Sequence, residues 1–125
     1  MKIIDTKNAP RAVGPYSQAV VSNGFVFTAG QIAINPETGE MVGDSIAEQT
    51  EQVIKNISAI LHSAGTSLES VVRCDVFLKN ISDFAEFNEI YGKYFDKNRP
   101  ARVTVEVNAL PKNALIEISA IAEIG

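Results

Sequence analysis

An arginine that opens a strand and a carboxylate near the end of the chain are the groups best suited to chemistry in this sequence. Arg102 stands in Pro100-Ala101-Arg102-Val103-Thr104-Val105-Glu106, and Glu117 in Ile116-Glu117-Ile118. If the last two strands form an antiparallel hairpin with Val107 opposite Ile116, Glu106 faces Glu117 and Thr104 faces Ser119. Arg102, Thr104 and Glu117 then share one surface. A register shifted by one would put Glu117 on a helix-packed side, where an unpaired carboxylate is costly to bury. An arginine and a carboxylate on one sheet face have two readings. One is a structural ion pair that fixes packing between subunits. In the other, the arginine binds a substrate carboxylate through its bidentate fork while the glutamate handles protons.

Other chemistries lack their residues. A single cysteine, Cys74, allows no internal disulfide, and one histidine, His62, beside it assembles no zinc site. His62 falls within a helical stretch and Cys74 within a strand, so both read as structural, and no Ser-His-Asp or Cys-His set is credible. Gly30, Gly39 and Gly43 lack the spacing of a phosphate-binding loop. The basic residues are scattered without an aromatic stacking platform. Eleven Lys and Arg against fifteen Asp and Glu leave a net charge of −4, which argues against nucleic acid or anionic lipid as a partner. The opening Met1-Lys2-Ile3-Ile4-Asp5 holds too short an apolar run for a signal peptide, and no window approaches a membrane span. The expected location is the cytoplasm.

The elements that must carry Arg102 and Glu117 can be read from periodicity. With 125 residues, 46% of them hydrophobic and 21% charged, the chain suits one folded domain over residues 1–125, with no repeat or linker. Two β-rich runs flank Asn23-Gly24, a dipeptide suited to a two-residue hairpin turn. Pro36-Glu37-Thr38-Gly39 is a second turn signal. Ser45 and Glu48 have capping-box spacing, an apolar stripe runs from Ile46 to Ala64, and Gly65 follows it, which marks a first helix. Residues 70–79 read as a strand. A second helix starts at Asp83, with Glu86 three residues on, carries Phe84, Phe87, Ile90, Tyr91, Tyr94 and Phe95, and ends ahead of Pro100. Strands at about 102–108 and 114–124 close the chain, and one more is possible at 2–6. The order ββ-α-β-α-ββ, with two helices on one face of a sheet, predicts an α+β sandwich.

The face the helices leave uncovered is informative. In 102–108 the valines Val103, Val105 and Val107 alternate with Arg102, Thr104, Glu106 and Asn108, which assigns the valines to the helix side. Strand 70–79 offers Val72, Cys74, Val76 and Leu78 on one side and Val71 and Phe77 on the other; strand 25–30 sets Phe25, Phe27 and Ala29 against Val26. An uncovered face that mixes apolar groups with a few charges suggests burial against other subunits; the other reading is a solvated antiparallel face with scattered hydrophobics.

Several segments together resemble one family across the whole chain. Ala9-Pro10, Gly14-Pro15-Tyr16-Ser17-Gln18-Ala19, Ala29-Gly30-Gln31-Ile32, Asn35-Pro36, Pro100-Ala101-Arg102, Leu110-Pro111-Lys112 and Ile116-Glu117-Ile118 occur in the order of the RidA (YjgF) family. The resemblance implies a chorismate-mutase-like fold with a mixed sheet, a homotrimer with sheets facing inward, and sites in the clefts between subunits. It implies hydrolysis of 2-iminobutanoate and 2-iminopropanoate to 2-oxo acids and ammonia, with no metal or organic cofactor. These imines and their enamine tautomers leak from PLP-dependent serine and threonine dehydratases. Carried over by position, Arg102 would bind the substrate carboxylate and Glu117 would position or activate water. Tyr16 would line the cleft, Gly30 would bring backbone close to the ligand, and the Val103-Thr104 backbone would flank it. Asn88 also matches a recurrent position, where capping or packing is an equal reading. Thr104 stands where many members have cysteine, and Ala29 where many have serine. The rival function is a non-catalytic trimer that binds a small carboxylate or regulates a partner, since a fold alone does not settle function. RNA cleavage, a second rival, is disfavoured by the negative charge.

Overall fold

A computed structural model describes residues 1–125. Asn23 and Gly24, both at positive φ (54° and 83°), make the tight turn between β2 (Ala19–Ser22) and β3 (Phe25–Thr28), as their ease in that region predicts. A short β1 (Lys2–Ile4) pairs antiparallel with β2. Helix α1 (Ile46–Ser63) is capped by Ser45, whose hydroxyl oxygen accepts from the Glu48 amide at 3.2 Å. Then come β4 (Val71–Leu78), α2 (Phe84–Phe95), β5 (Ala101–Glu106) and β6 (Ile116–Glu123). The sheet runs β1-β2-β3-β6-β4-β5 and is mixed, because β4 and β5 are parallel while every other neighbouring pair is antiparallel. Both helices cover one face, against which Val26, Cys74, Val76, Leu78, Ile116, Ile118, Ala120 and Ala122 are buried. No helix is long and apolar enough to cross a membrane.

Four local expectations fail, each for a physical reason. The last two strands are not a hairpin: β4 lies between β5 and β6, and Val107 donates its amide to Leu78 at 2.9 Å. Four of the eight residues of β6 are buried on the helix side, which suits a central position, whereas β5 carries Arg102, Thr104 and Glu106 on that side and suits an edge, where charge reaches water. The β4-α2-β5 crossover makes the pairing of β5 parallel.

The second correction follows from the same register. Arg102 pairs with Cys74 and Thr104 with Val76, both buried under the helices, so the helix side of β5 is the arginine side. Val103 and Val105 lie on the open face, 43% and 40% exposed. Third, an irregularity between Val71 and Arg73 returns Val71 to the buried face and leaves Val72 exposed, the reverse of simple alternation. Fourth, Asp83 makes no capping bond; a 3₁₀ turn, Ile81–Asp83, precedes α2, and the Glu106 carboxylate accepts the Ile81 amide at 2.8 Å.

The open face carries Phe77, Val103, Val105 and the half-exposed Phe27, with the Arg73–Asp75 ion pair at 3.0 Å among them. It is apolar with a few charges, as the alternation in β3 and β4 implied.

Candidate functional site

Glu117 projects from β6 onto the open face, opposite Phe77. Burial pushes its carboxyl above the ordinary carboxylate range, because little around it replaces water for the charged form. The chain after β3 is held against this point: Gln31 and Ile118 exchange backbone hydrogen bonds at 2.8 and 3.1 Å. That bridge lays Gly30 directly under Glu117. A Cβ at Gly30 would stand 2.8 Å from the carboxyl carbon, so only glycine lets the carboxylate rest on the backbone.

A cavity of about 770 Å³ opens beside these residues, lined among others by Arg11, Tyr16, Gln31, Lys112 and Glu117. Tyr16 is half exposed, and its hydroxyl accepts from the Val13 amide at 3.4 Å. The residue that holds this wall together is Gln18, which stands just before β2. It is buried; its side-chain oxygen accepts from Thr6, and its amide donates to the carbonyls of Thr6, Ala9 and Pro10. A buried amide must find such partners, so a lone glutamine directly ahead of the apolar run Ala19-Val20-Val21 is the signal that could have exposed it.

Arg102 occupies a different place. It is half-buried on the helix side of the sheet, its guanidinium carbon 5.6, 5.3 and 4.8 Å from the ring centroids of Phe84, Phe87 and Tyr91. None of the chain's ion pairs involves it. Beside it lies a second, open cavity of about 370 Å³, lined by Asn88, Tyr91, Gly92, Arg99, Pro100 and Arg102 among others. Asn88 is exposed on α2 and faces this cavity, so it is neither a cap nor a core residue. The Thr104 and Tyr91 hydroxyls on this side are buried without a partner. Cys74, beneath Arg102, is fully buried, and that burial pushes its thiol up to about 11, so it is an inert core residue. His62 is exposed on α1.

The residues named from sequence therefore fall into two groups. Tyr16, Gly30 and Glu117 meet at one cavity; Arg102 and Asn88 meet at another, with Thr104 on the same side. Val103 belongs to the open face, in the row of Asp75 and Ser119. Arg102 and Glu117 do not share a surface in one chain: they stand on opposite faces, two strands apart.

The family described as Endoribonuclease L-PSP matches residues 6–124. A Lactococcus lactis protein with a regulator designation, AldR, is 57% identical over 124 residues, 99% of this chain and 98% of its own. Reactive Intermediate Deaminase A of Arabidopsis thaliana chloroplasts is 48% identical over 97% of this chain and 65% of its own. Among solved structures, the Rid-family protein YyfA of Yersinia pestis superposes with a TM-score of 0.96 at 51% identity, covering 98% of both chains. TdcF of E. coli, solved with bound serine, superposes with a TM-score of 0.95 at 40% identity, covering 100% of both. With the sheet order, the two helices on one face and the ordered segments all in agreement along its length, this chain belongs to the Endoribonuclease L-PSP family of RidA and YjgF proteins.

Proposed function

We propose that this protein is a trimeric deaminase that hydrolyses 2-imino acids and their enamine tautomers, 2-iminobutanoate and 2-iminopropanoate, in clefts between subunits. The observation that carries the proposal is the separation of Arg102 from Glu117. Each is set in its own incomplete cavity, and the face bearing Glu117 is an apolar surface that this chain leaves uncovered. An unpaired guanidinium from one subunit and a desolvated carboxylate from the next make a complete site only when subunits assemble.

The chemistry asks for little more. Arg102 holds the substrate carboxylate, and the backbone of Val103 and Thr104 flanks it. Tyr16 and Gly30 bound the cleft, and Asn88 lines the arginine side. A carboxyl whose proton affinity is raised by burial is better suited than an exposed one to take up and return protons. Glu117 takes a proton from the water that attacks C2 and gives it to the imine nitrogen, forming a carbinolamine. It then passes the hydroxyl proton to the same nitrogen, so the C–N bond breaks to release ammonia and leave the 2-oxo acid. An enamine is first protonated at C3 to give the imine. No metal or organic cofactor enters these steps. The site so described acts in the cytoplasm, where PLP-dependent dehydratases release such imines.

The regulator designation of one relative favours a second reading, a trimer that binds a small carboxylate without turning it over. A coupled assay decides between them: a PLP-dependent threonine or serine dehydratase supplies the imine, and its decay is followed with and without this protein. Faster decay with wild type, lost in Arg102→Ala, supports the deaminase; no effect on either imine refutes it and leaves the carboxylate binder. The family's description also invites an RNA test. With a net charge of −4, RNA cleavage and salt-sensitive RNA binding are not expected.

A further inference from the structure

Arg102 is held by aromatic faces where a carboxylate would be the common partner. Phe84, Phe87 and Tyr91 are spaced to present their rings along one side of α2, and all three lie within 5.6 Å of its guanidinium carbon. The rings support one another, with centroids 6.4 Å apart for Phe84–Phe87 and 5.3 Å for Phe87–Tyr91. An acidic partner would occupy the fork of the guanidinium and neutralise it. A ring face attracts the cation through its quadrupole and leaves the in-plane N–H donors free.

Core packing alone accounts for Phe87, which is fully buried. It does not account for Phe84, which is 37% exposed and still stands against the guanidinium. We propose that Phe84, Phe87 and Tyr91 are positioning residues that fix the plane of Arg102 without consuming its charge, and so set the affinity for the substrate carboxylate. This inference rests on the reading of Arg102 as the carboxylate anchor.

Phe84 gives the clean test because its exposure makes misfolding of its variants less of a concern. The assembled protein is titrated with pyruvate, the 2-oxo acid product, in wild type, Phe84→Leu, Phe84→Tyr and Arg102→Ala, and KM and kcat for imine decay are measured alongside. Phe84→Leu is expected to weaken pyruvate binding and raise KM roughly three- to tenfold, the range of one partly desolvated cation–π contact. Its kcat should stay within about twofold of wild type. Phe84→Tyr, which keeps the ring, should restore the affinity. If Phe84→Leu binds like wild type while Arg102→Ala does not, the cradle is overturned and the anchor stands. Equal weakening in Phe84→Leu and Phe84→Tyr also overturns it, since the ring face is then irrelevant. If Arg102→Ala binds pyruvate like wild type, or wild type binds none, the anchor reading fails and the cradle falls with it.

Discussion

Two inactive variants of this protein should repair one another when their subunits mix. Arg102 and Glu117 stand on opposite faces of one sheet, so a site that uses both draws them from neighbouring subunits. Arg102→Ala removes the charged anchor, and the loss of a desolvated charge partner costs on the order of 2–5 kcal/mol. That corresponds to roughly a 30-fold to several-thousand-fold fall in kcat/KM. Glu117→Ala removes the proton-handling group. Each homotrimer should therefore work at a few per cent of wild type or less. In trimers assembled at random from equal amounts of the two variants, a site is intact only when its arginine side comes from Glu117→Ala and its glutamate side from Arg102→Ala. In a cyclic trimer that joint chance is about one quarter, so about a quarter of the wild-type sites return. The two chains, carrying different tags, are unfolded, mixed, refolded and purified through both tags, and imine decay is followed in the coupled assay. Double-tag selection raises the intact fraction further by discarding homotrimers. Activity that stays at the level of the single variants would refute intersubunit sites, because a site built within one chain can never regain both residues by mixing.

Other outcomes follow from single contacts. Gly30→Ala places a Cβ 2.8 Å from the Glu117 carboxyl carbon, and the flexible carboxylate yields before the backbone does. Its displacement by about 1 Å should lower kcat roughly 100-fold with little change in Tm; an unchanged kcat would show that the carboxylate position is not critical. For Glu117→Gln the sign of the pH effect is fixed by burial, which raises the folded-state pKa above 4.5. The carboxyl therefore favours the folded state while protonated, and that advantage is lost as pH rises through the folded pKa. The glutamine variant should match wild type in Tm at acid pH and exceed it at neutral pH while losing activity, as thermal melts across that range would show. Val105→Asp puts a charge on the open face beside Phe77, and light scattering should find monomers in place of trimers.

Much of this protein could be read along the chain because it is decided by near neighbours. Asn23-Gly24 turns as expected because both residues tolerate positive φ, and Ser45 caps α1 because its hydroxyl reaches the Glu48 amide three residues on. The stripe from Ile46 to Leu61 is buried, and Glu117 does avoid the helix side, as the cost of burying a lone carboxylate requires. The face of Arg102 was another matter. Alternation in β5 separates Val103 and Val105 from Arg102, Thr104 and Glu106, but a two-fold period says only that the faces differ, not which one a helix covers. Hydrophobicity points to the valines. The tertiary structure reverses this because β4, α2 and β5 form a crossover that brings the aromatic side of α2 over the arginine, while the valines face outward. The partner of β5 was equally hidden: β6 took the central place because its helix side is wholly apolar, a comparison between strands that no single segment contains. Local physics thus determined the turns, the Ser45 cap and the two helices from sequence alone, while the cap expected at Asp83 gave way to a 3₁₀ turn. Which residues of the site lie together was decided by long-range pairing, because that pairing sets which face of each strand meets the helices.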